Sequence, residues 1–215
     1  MSTHLNWQPA REPQAEPLTG RFIRLEKLDP RQHGDDLWDV LQGPDSDAKL
    51  WDYPWLYATQ TGWWNLSDEE VKRLREYLLR GGFLMTDDFW GDEQWEVFRR
   101  TMERVLPGHP LTDIEEDDSV MHVLYDIREK DRTIIPGSRH LRPAGGGGMR
   151  LNYPPGSVPA WRALYDGKGR LVVAANYNTD IGDAWEFADV PYYPEAMTTL
   201  AYRYGINYVV YAMTH

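Results

Sequence analysis

The chain contains no cysteine among its 215 residues. It therefore has no disulfide framework, no thiolate zinc site and no thiol nucleophile. It also lacks a run of about eighteen apolar residues, the length that a membrane-spanning helix needs, so we predict a soluble chain without membrane insertion. Basic side chains are scarce, 23 against 34 acidic ones for a net charge of -11, which argues against nucleic acid as a partner.

The beginning of the chain lacks the basic start and the apolar run of a signal peptide. We interpret residues 1–17 as a proline-rich leader, and the compartment stays unknown. Residues 18–52 follow with a predicted strand in "RFIRL" and a predicted helix that starts at Asp29 and Pro30. A loop is expected near residues 43–54, where Gly43 and Pro44 interrupt the pattern.

Residues 53–215 carry the clearest local signals. Ser67 and Glu70 form a capping box ahead of a helix with one apolar face, and Gly81 and Gly82 end it. The apolar "FLMT" that follows is typical of a strand covered on both faces. A second helix is predicted after Gly91. A helix, a short loop and a buried strand in succession predict a layered α/β domain.

The C-terminal half is more mixed. "SVMHVLYDI" predicts another strand, and the stretch from residue 128 to 159, with "PAGGGGMR" inside it, predicts loop. The four glycines match no phosphate-binding pattern. "WRALYDGKGRLVVAANYN" predicts a hairpin that turns near Asp166, and "YPEAMTTLAYRYGINYVVYAMTH" predicts a last helix interrupted at Gly205.

Several long stretches resemble a known bacterial family. "DYPWLY", "LSDEEVKRLREYLLRGGFLMTDDFWGDEQWEVFRRTMERVLPG", "GRLVVAANYNTDIGDAWEFAD" and "GINYVVYAMT" resemble the domain of unknown function numbered 4159, in the class I glutamine-amidotransferase-like group. The resemblance implies a flavodoxin-like α/β fold, a layered sheet with helices on both faces, over residues 53–215. It implies no assigned activity. Relatives in cell-envelope or exported proteins, beside MoxR-type ATPases and von Willebrand A domain proteins, imply a protein partner in such an envelope system.

The segment before residue 53 resembles a different family. "PLTGRFIRLEKLDPRQHGDDLWDVLQGPDSDAKLWDY" is similar to the opening strand and helix of a GCN5-related N-acetyltransferase, so the chain looks like a fusion, natural or artificial. The acetyl-CoA-binding signature of that family is missing, and acetyl transfer is not expected. We expect the strand and helix of residues 18–52 either to dock on the edge of the sheet, covering its exposed amides, or to form a loosely attached arm.

Polar side chains follow two of the predicted buried strands. Asp87 and Asp88 come directly after "FLMT", and "NYNTDIGDAWE" follows "LVVAA". Because open α/β sheets bind ligands beyond the carboxyl ends of their strands, we expect these two clusters to share one rim. The predicted ligand-binding residues are Asp88, Trp90, Asn176, Asn178, Asp180, Asp183 and Trp185, the two tryptophans supplying a flat apolar face.

A structural role for the same residues is an open alternative. One aspartate of the Asp87–Asp88 pair can cap the helix that begins near Asp92 or pair with a base, while the other faces the crevice. Hard-cation binding is another alternative, but "NTDIGDAW" matches no calcium loop, so no metal site is predicted. No cofactor motif is present, and none is expected.

Catalysis has weaker support in the sequence. Glutamine amidotransfer needs a cysteine nucleophile and is excluded. Asp87, Asp88 and His122 are the candidates for acid–base chemistry, with His140 in a loop, although a lone histidine on a strand is more often a packing residue. We expect a non-catalytic domain that binds a small polar ligand or a protein partner at the carboxyl edge of the strands. The alternatives are a hydrolase of carbohydrate or another polar substrate, using paired aspartates, and an orphan fusion without native activity.

Overall fold

The computed structural model describes residues 18–19, 24–25, 50, 52–144, 149–153 and 157–215. The chain divides into two units, Met1–Asp47 and Ala48–His215. In the first unit, strands β1 (Leu18–Thr19) and β2 (Arg24–Leu25) pair antiparallel. The helix predicted after Pro30, and its docking on the sheet, lie outside the described residues and stay predictions.

The second unit is built on a five-stranded sheet. Its strands are β3 (Trp55–Thr59), β4 (Phe83–Asp87), β5 (Thr112–Asp113), β8 (Ala160–Tyr165) and β9 (Leu171–Tyr177). A separate antiparallel pair joins β6 (Leu141–Pro143) to β7 (Met149–Leu151). The sheet order is β3-β4-β9-β8-β5, in which β3, β4 and β9 are parallel and β8 is antiparallel to both of its neighbours. The parallel strands therefore end at one common edge.

Helices cover both faces of this sheet. Helices α1 (Asp68–Leu79) and α2 (Gly91–Val105) pack on one face, while α3 (Ile181–Glu186) and α4 (Glu195–Thr214) pack on the other. Short 3₁₀ turns span Thr61–Trp63, Ser119–Met121, Glu129–Asp131 and Ser138–His140. This arrangement confirms the predicted α/β class and is consistent with a flavodoxin-like fold. Within the described residues, no helix is both long and apolar enough to cross a membrane.

The core lies in two apolar layers, one on each side of the sheet. Strand β4 is buried along its whole length, with Phe83 and Met85 in the layer beneath α4 and Leu84 in the layer beneath α1 and α2. Successive strand side chains point to opposite faces, so a strand covered on both sides needs an uninterrupted apolar run. The prediction from "FLMT" is thereby confirmed.

The local signals around α1 are confirmed as well. The Ser67 amide donates to Glu70 Oε2 at 2.7 Å, and the Glu70 amide donates to Ser67 Oγ at 3.3 Å, which completes the capping box. Gly81 follows the helix with φ 114°, a backbone conformation that residues with a Cβ rarely adopt. The chain therefore leaves α1 and enters β4 within a few residues.

The predicted hairpin is confirmed as the pair β8–β9. Asp166 shapes its turn, because Asp166 Oδ1 accepts the amides of Lys168 at 2.8 Å and Arg170 at 2.9 Å. Gly169 has φ 82°, which suits glycine at this position of the turn. The hairpin places β9 in the middle of the sheet, between β8 and β4.

The strand predicted from "SVMHVLYDI" is wrong. Residues 119–121 form a 3₁₀ turn, and bends follow it. Val120 and Met121 are adjacent, yet both are buried in the layer beneath α4, which alternation on a strand would not allow. Asn207 of α4 then bonds both the amide and the carbonyl of Tyr125 through its side chain, in place of a neighbouring strand.

The interruption predicted at Gly205 is also wrong, because α4 is continuous from Glu195 to Thr214. A Cβ placed on Gly205 would lie 2.5 Å from Cζ2 of Trp185. Glycine is needed here for the close approach of the Trp185 ring to the helix, so its role is packing and not helix termination.

Candidate functional site

The two polar segments predicted to meet do lie side by side. They follow the parallel strands β4 and β9, and two backbone hydrogen bonds connect them beyond the strand ends. The Asp88 amide donates to the Thr179 carbonyl at 2.9 Å, and the Asn178 amide donates to the Phe89 carbonyl at 3.1 Å. Asp88 and Asn178 adopt left-handed φ values of 51° and 56°, which Asp and Asn tolerate better than most residues. We call this edge of the sheet the strand-end crevice.

Asp87 is fully buried and its carboxylate is saturated. Its Oδ1 accepts the Tyr57 hydroxyl at 2.8 Å, while Oδ2 accepts the amides of Ile181 at 2.7 Å and Gly182 at 3.0 Å. Burial raises the pKa of Asp87 to about 7, against the opposing effect of these hydrogen bonds. Asp87 therefore joins β3 and the start of α3 to the end of β4.

Asp88 is the only aspartate of the strand-end crevice that forms an ion pair with another described residue. Both of its oxygens accept hydrogen bonds from the guanidinium of Arg139, and Oδ1 also accepts the Trp90 indole N–H at 2.8 Å. The Asp88 side chain is 5% exposed, whereas that of Arg139 is 49% exposed. Asp88 does not cap α2, because the Gly91 amide donates to Asn178 Oδ1 at 2.9 Å instead.

Asp180 is the least satisfied of the buried acids. Its Oδ1 accepts the Asp183 amide at 2.9 Å and so caps α3, but in the described part of the chain no donor is hydrogen-bonded to Oδ2. Burial raises the pKa of Asp180, and the nearby charges of Asp88 and Asp87 raise it further. The carboxyl of Asp180 is consequently held in its protonated form well above the pH at which an exposed aspartate ionises.

A loop segment packs against the crevice acids, and its first residues, Ile135, Pro136 and Gly137, are themselves buried. Residues 135–140, which we call the strap, are anchored at three points. The Ile135 carbonyl accepts the Asp180 amide at 2.8 Å, the Pro136 carbonyl accepts the Tyr193 hydroxyl at 2.5 Å, and the Ser138 amide donates to Asp183 Oδ2 at 2.6 Å.

The strap touches the acids directly at its glycine. A Cβ on Gly137 would lie 2.5 Å from Asp180 Oδ2, so the backbone of the strap rests against the unsatisfied oxygen. Only glycine permits this approach.

Aromatic rings form one side of the crevice. The Trp90 ring centroid is 4.1 Å from that of His140 and 5.8 Å from that of Tyr153, with which it stacks. Burial lowers the pKa of His140 to about 4, so the imidazole is neutral near pH 7. His140 Nδ1 and the Tyr153 hydroxyl are both buried without a hydrogen-bond partner in the described residues. Such orphaned groups carry an energetic cost that a bound molecule or water would relieve.

Two of the predicted ligand-binding residues make hydrogen bonds within the fold. Asn176 is fully buried, donating to the Thr86 carbonyl at 3.0 Å and accepting the Tyr208 hydroxyl at 2.6 Å. Asn178 donates to the Val158 carbonyl at 2.7 Å and accepts the Gly91 amide. The amides of both side chains are thus used to join neighbouring segments.

Two further candidates have other partners. The Trp185 ring packs edge-on against Tyr57, with centroids 5.6 Å apart, and lines an apolar groove beside Trp55 and α4. His122 lies in the irregular segment after residue 121, bonded to Asp126 at 2.9 Å and to the Glu116 carbonyl at 2.6 Å, and these bonds raise its pKa. Neither residue contacts Asp88 or Asp180 in any interaction that the structure describes.

Sequence reasoning missed Arg139 and Tyr57 as members of the site. Arg139 follows a stretch without periodicity, and Tyr57 belongs to a strand that the sequence did not predict. The one available signal was electrostatic, since several buried acids require either protons or a nearby cation. Among the described residues, no group of three or more histidine, aspartate or glutamate side chains has a geometry that could hold a metal ion.

The fold and the crevice define a layered α/β domain with a buried acidic cluster beyond the carboxyl ends of its parallel strands. Residues 38–213 match the family described as Domain of unknown function (DUF4159). The match spans most of the sequence, and the chain belongs to this family. A search of curated proteins finds no match to this chain.

Proposed function

We propose that the protein is a non-catalytic binding domain whose strand-end crevice takes a small polar ligand. The observation that supports this proposal is that some polar groups of the crevice have hydrogen-bond partners within the protein, whereas others have none among the described residues. Asp87, Asp88 and Asp183 each accept hydrogen bonds from the protein's own N–H groups. Asp180 Oδ2, His140 Nδ1 and the Tyr153 hydroxyl have no partner in the described part of the chain.

The satisfied groups argue against catalysis. Hydrolysis of a glycoside by paired aspartates needs two carboxyls that both reach the reacting atoms. Asp87 faces Tyr57 and the start of α3, whereas Asp88 faces Trp90 and Arg139, so the adjacent aspartates serve different partners. The strap lies over the remaining carboxyl of Asp180.

The unsatisfied groups favour binding. Small-molecule sites combine an apolar wall with a few convergent polar atoms. Here the wall is Trp90, which contacts both His140 and Tyr153, and the polar atoms are those left without partners beside it. A ligand that supplies hydrogen bonds to them relieves the cost of burying them alone.

A thermal-shift screen of the full chain tests this proposal, with sugars, nucleotides, amino acids, amines and divalent cations at millimolar concentrations. We expect at least one class to raise Tm, and Asp180→Asn to remove that rise. Asp189→Asn, an exposed aspartate elsewhere on the surface, is the matched control and should leave the rise intact. A screen without any hit, or a hit indifferent to Asp180→Asn, would contradict the proposal.

A hydrolase of carbohydrate or another polar substrate is the second candidate. The feature that favours it is the raised pKa of Asp87 and Asp180, because a general acid at neutral pH must keep its proton. Turnover of a panel of glycosides is the test. A true acid lost in Asp180→Asn should lower the rate about a hundredfold or more, and an unchanged rate would remove Asp180 from this hypothesis.

The wider affiliation of the domain is a further proposal. A place in the class I glutamine-amidotransferase-like group is supported by the strand-to-helix turn at Asp88, which lies between β4 and α2 with φ 51°, as a nucleophile would in an active relative. With aspartate there and no cysteine in the chain, the domain would be a degenerate member.

The proposals for the first fifty residues and for partners rest on resemblance alone. Residues 18–52, of which residues 38–52 also fall within the family match, are proposed to be an acetyltransferase-like fragment without acetyl transfer, fused to the main domain. A protein partner in a MoxR and von Willebrand A type envelope system is the proposed cellular context. Co-purification with such proteins would support it, whereas silence in both the ligand and partner screens would favour an orphan fusion.

A further inference from the structure

Arg139 is an unusual partner for a buried acid. Its side chain is half exposed and comes from the strap, yet its guanidinium pairs with both oxygens of Asp88, whose side chain is only 5% exposed. A long side chain fixed in one geometry loses rotamer entropy. Arg139 is therefore a cation that reaches in from the surface, held in place chiefly by the carboxylate it meets.

The crevice contains more acid than this one cation balances. Asp87, Asp88, Asp180 and Asp183 converge there, and Arg139 supplies the only ion pair that the described residues give to any of them. Asp180 is 3% exposed and has one oxygen without a donor, and Gly137 of the strap lies against that oxygen. The Asp180 carboxyl thus lies in the crevice against the strap, and the described residues leave one of its oxygens without a donor.

The surroundings suit a flat cation. Guanidinium groups pair bidentately with carboxylates and stack on aromatic rings. The Trp90 indole donates to Asp88 Oδ1, which brings an aromatic ring beside the carboxylate.

We propose that the strand-end crevice binds a guanidinium-bearing small molecule and that Arg139 holds its place in the free protein. The ligand's guanidinium takes the position of Arg139 on Asp88, its second edge faces Asp180, and the strap moves outward with the displaced side chain. This inference rests on the proposed binding function and gives it a ligand class. It also makes Arg139 an internal competitor, whose effective concentration near Asp88 is in the millimolar range or above.

Chemical rescue of the full chain tests the inference. Arg139→Ala removes the internal competitor, and propylguanidine then replaces the missing group. We expect millimolar propylguanidine to raise the Tm of Arg139→Ala, with an apparent affinity about tenfold or more above that for the unmodified chain, where Arg139 competes. Propylurea has a similar shape without the charge and should have no effect.

Matched variants separate the site from general effects. Arg142→Ala removes an exposed arginine from the adjacent strand β6 and should behave as the unmodified chain does. The double variant Arg139→Ala with Asp88→Asn should lose the rescue. If Arg139→Ala folds poorly, Arg139→Gln keeps a hydrogen-bonding side chain without the charge and should show the same rescue.

The outcomes distinguish this inference from the proposed function. Equal responses of Arg139→Ala and the unmodified chain, equal effects of propylguanidine and propylurea, or no response at all would overturn the guanidinium assignment. A neutral or anionic ligand that depends on Asp180 would overturn it too, while leaving the binding function in place. An arginine-containing tripeptide tests whether the guanidinium belongs to a small molecule or to a peptide. Rescue by propylguanidine without rescue by the peptide supports a small molecule. Tighter binding of the peptide would overturn the assignment to a small molecule.

Discussion

The two ends of the sheet both bury charge, but they balance it differently. At the start of β9, the Arg170 side chain is 13% exposed and pairs with Asp166 at 3.4 Å. Its guanidinium also donates to the carbonyls of Leu78, Gly81 and Gly82 at 2.8–3.3 Å. The Leu78 carbonyl lies in the last turn of α1 and the two glycines follow that helix, at the end where a cation is favoured by the helix dipole. One cation thus meets one acid and three carbonyls.

The strand-end crevice at the opposite end is unbalanced. Four carboxyls meet one half-exposed guanidinium, and the pKa values of Asp87 and Asp180 are raised. The difference separates a structural ion pair from a candidate binding site. Charges that serve the fold are saturated by the chain itself, whereas a site that awaits a ligand keeps part of its hydrogen-bonding capacity unused.

Replacing Arg170 should have the largest effect on stability. Arg170→Met removes the cation and leaves Asp166 and the carbonyls of α1 without it. We expect the free energy of unfolding to fall by about 3–5 kcal/mol, the usual cost of breaking a buried pair from one side, measured by urea denaturation. Lys168→Met, exposed in the same turn, should change it by less than about 0.5 kcal/mol. A loss for Arg170→Met as small as that of Lys168→Met would abolish the contrast between the two ends.

Stability should also depend on pH through the crevice. The folded-state pKa of Asp180 lies above its ordinary value near 4, so the folded protein binds more protons than the unfolded one above that value. Its contribution to stability is complete below pH 4 and is lost as pH rises. Between pH 5 and pH 8 we expect a slope of up to about 1.4 kcal/mol per pH unit for this proton.

Asp180→Asn isolates that contribution, because asparagine retains the oxygen that accepts the Asp183 amide and cannot ionise. The variant should lose less stability than the unmodified chain between pH 5 and pH 8 in urea titrations. If the stability of the two proteins depends on pH in the same way, the pKa of Asp180 is not raised by folding. The strand-end crevice would then be balanced in charge, as the region around Arg170 is.

Loosening the strap should have a smaller effect. Asp183→Ala removes the acceptor of the Ser138 amide and should cost about 1 kcal/mol. We expect the Ser138 amide to exchange its hydrogen faster, measured by NMR, while the hairpin amides of β8 and β9 change little. Glu186→Ala, exposed on the same short helix, is the control. Equal acceleration throughout the domain would indicate that the strap does not open independently of the core.

His122 should have the smallest effect of all. It bonds to Asp126, whose side chain is 69% exposed, and exposed ion pairs contribute little. His122→Gln should alter the free energy of unfolding by less than about 0.5 kcal/mol and leave ligand-induced thermal shifts unchanged. A lost shift would extend the site to a region that has no described contact with it.

Much of the fold could be predicted because its signals are local. Ser67 and Glu70 specify the start of α1 within four residues, and Asp166 with Gly169 specifies the hairpin turn. The segment after Ser119 was wrongly predicted to be a strand, because its short apolar alternation is compatible with one. In the structure, the Asn207 side chain of a distant helix bonds the backbone amide and carbonyl of Tyr125. Strand β3 was not predicted, although tryptophan, tyrosine and threonine favour strands, because it directly follows the segment that was assigned to a loop.

The candidate site was predictable only in outline. That Asp88 and Asp180 would meet followed from the common edge of parallel strands. The sequence could not show which polar groups lack a hydrogen-bond partner, because the partners are distant in the sequence. Asn176 is bonded to Tyr208 and Asp87 to Tyr57, and Arg139 comes from a segment with no recognisable pattern.

The order of the strands along the chain has a consequence for biosynthesis. Thr86 of β4 and Ala174 of β9 hydrogen-bond across neighbouring strands, although 88 residues separate them. At the usual rate of translation, β9 emerges roughly 4–18 s after β4. During that interval β4 of the nascent chain has no strand paired along one of its edges. The growing chain therefore presents a chaperone substrate until the β8–β9 hairpin arrives and completes the sheet.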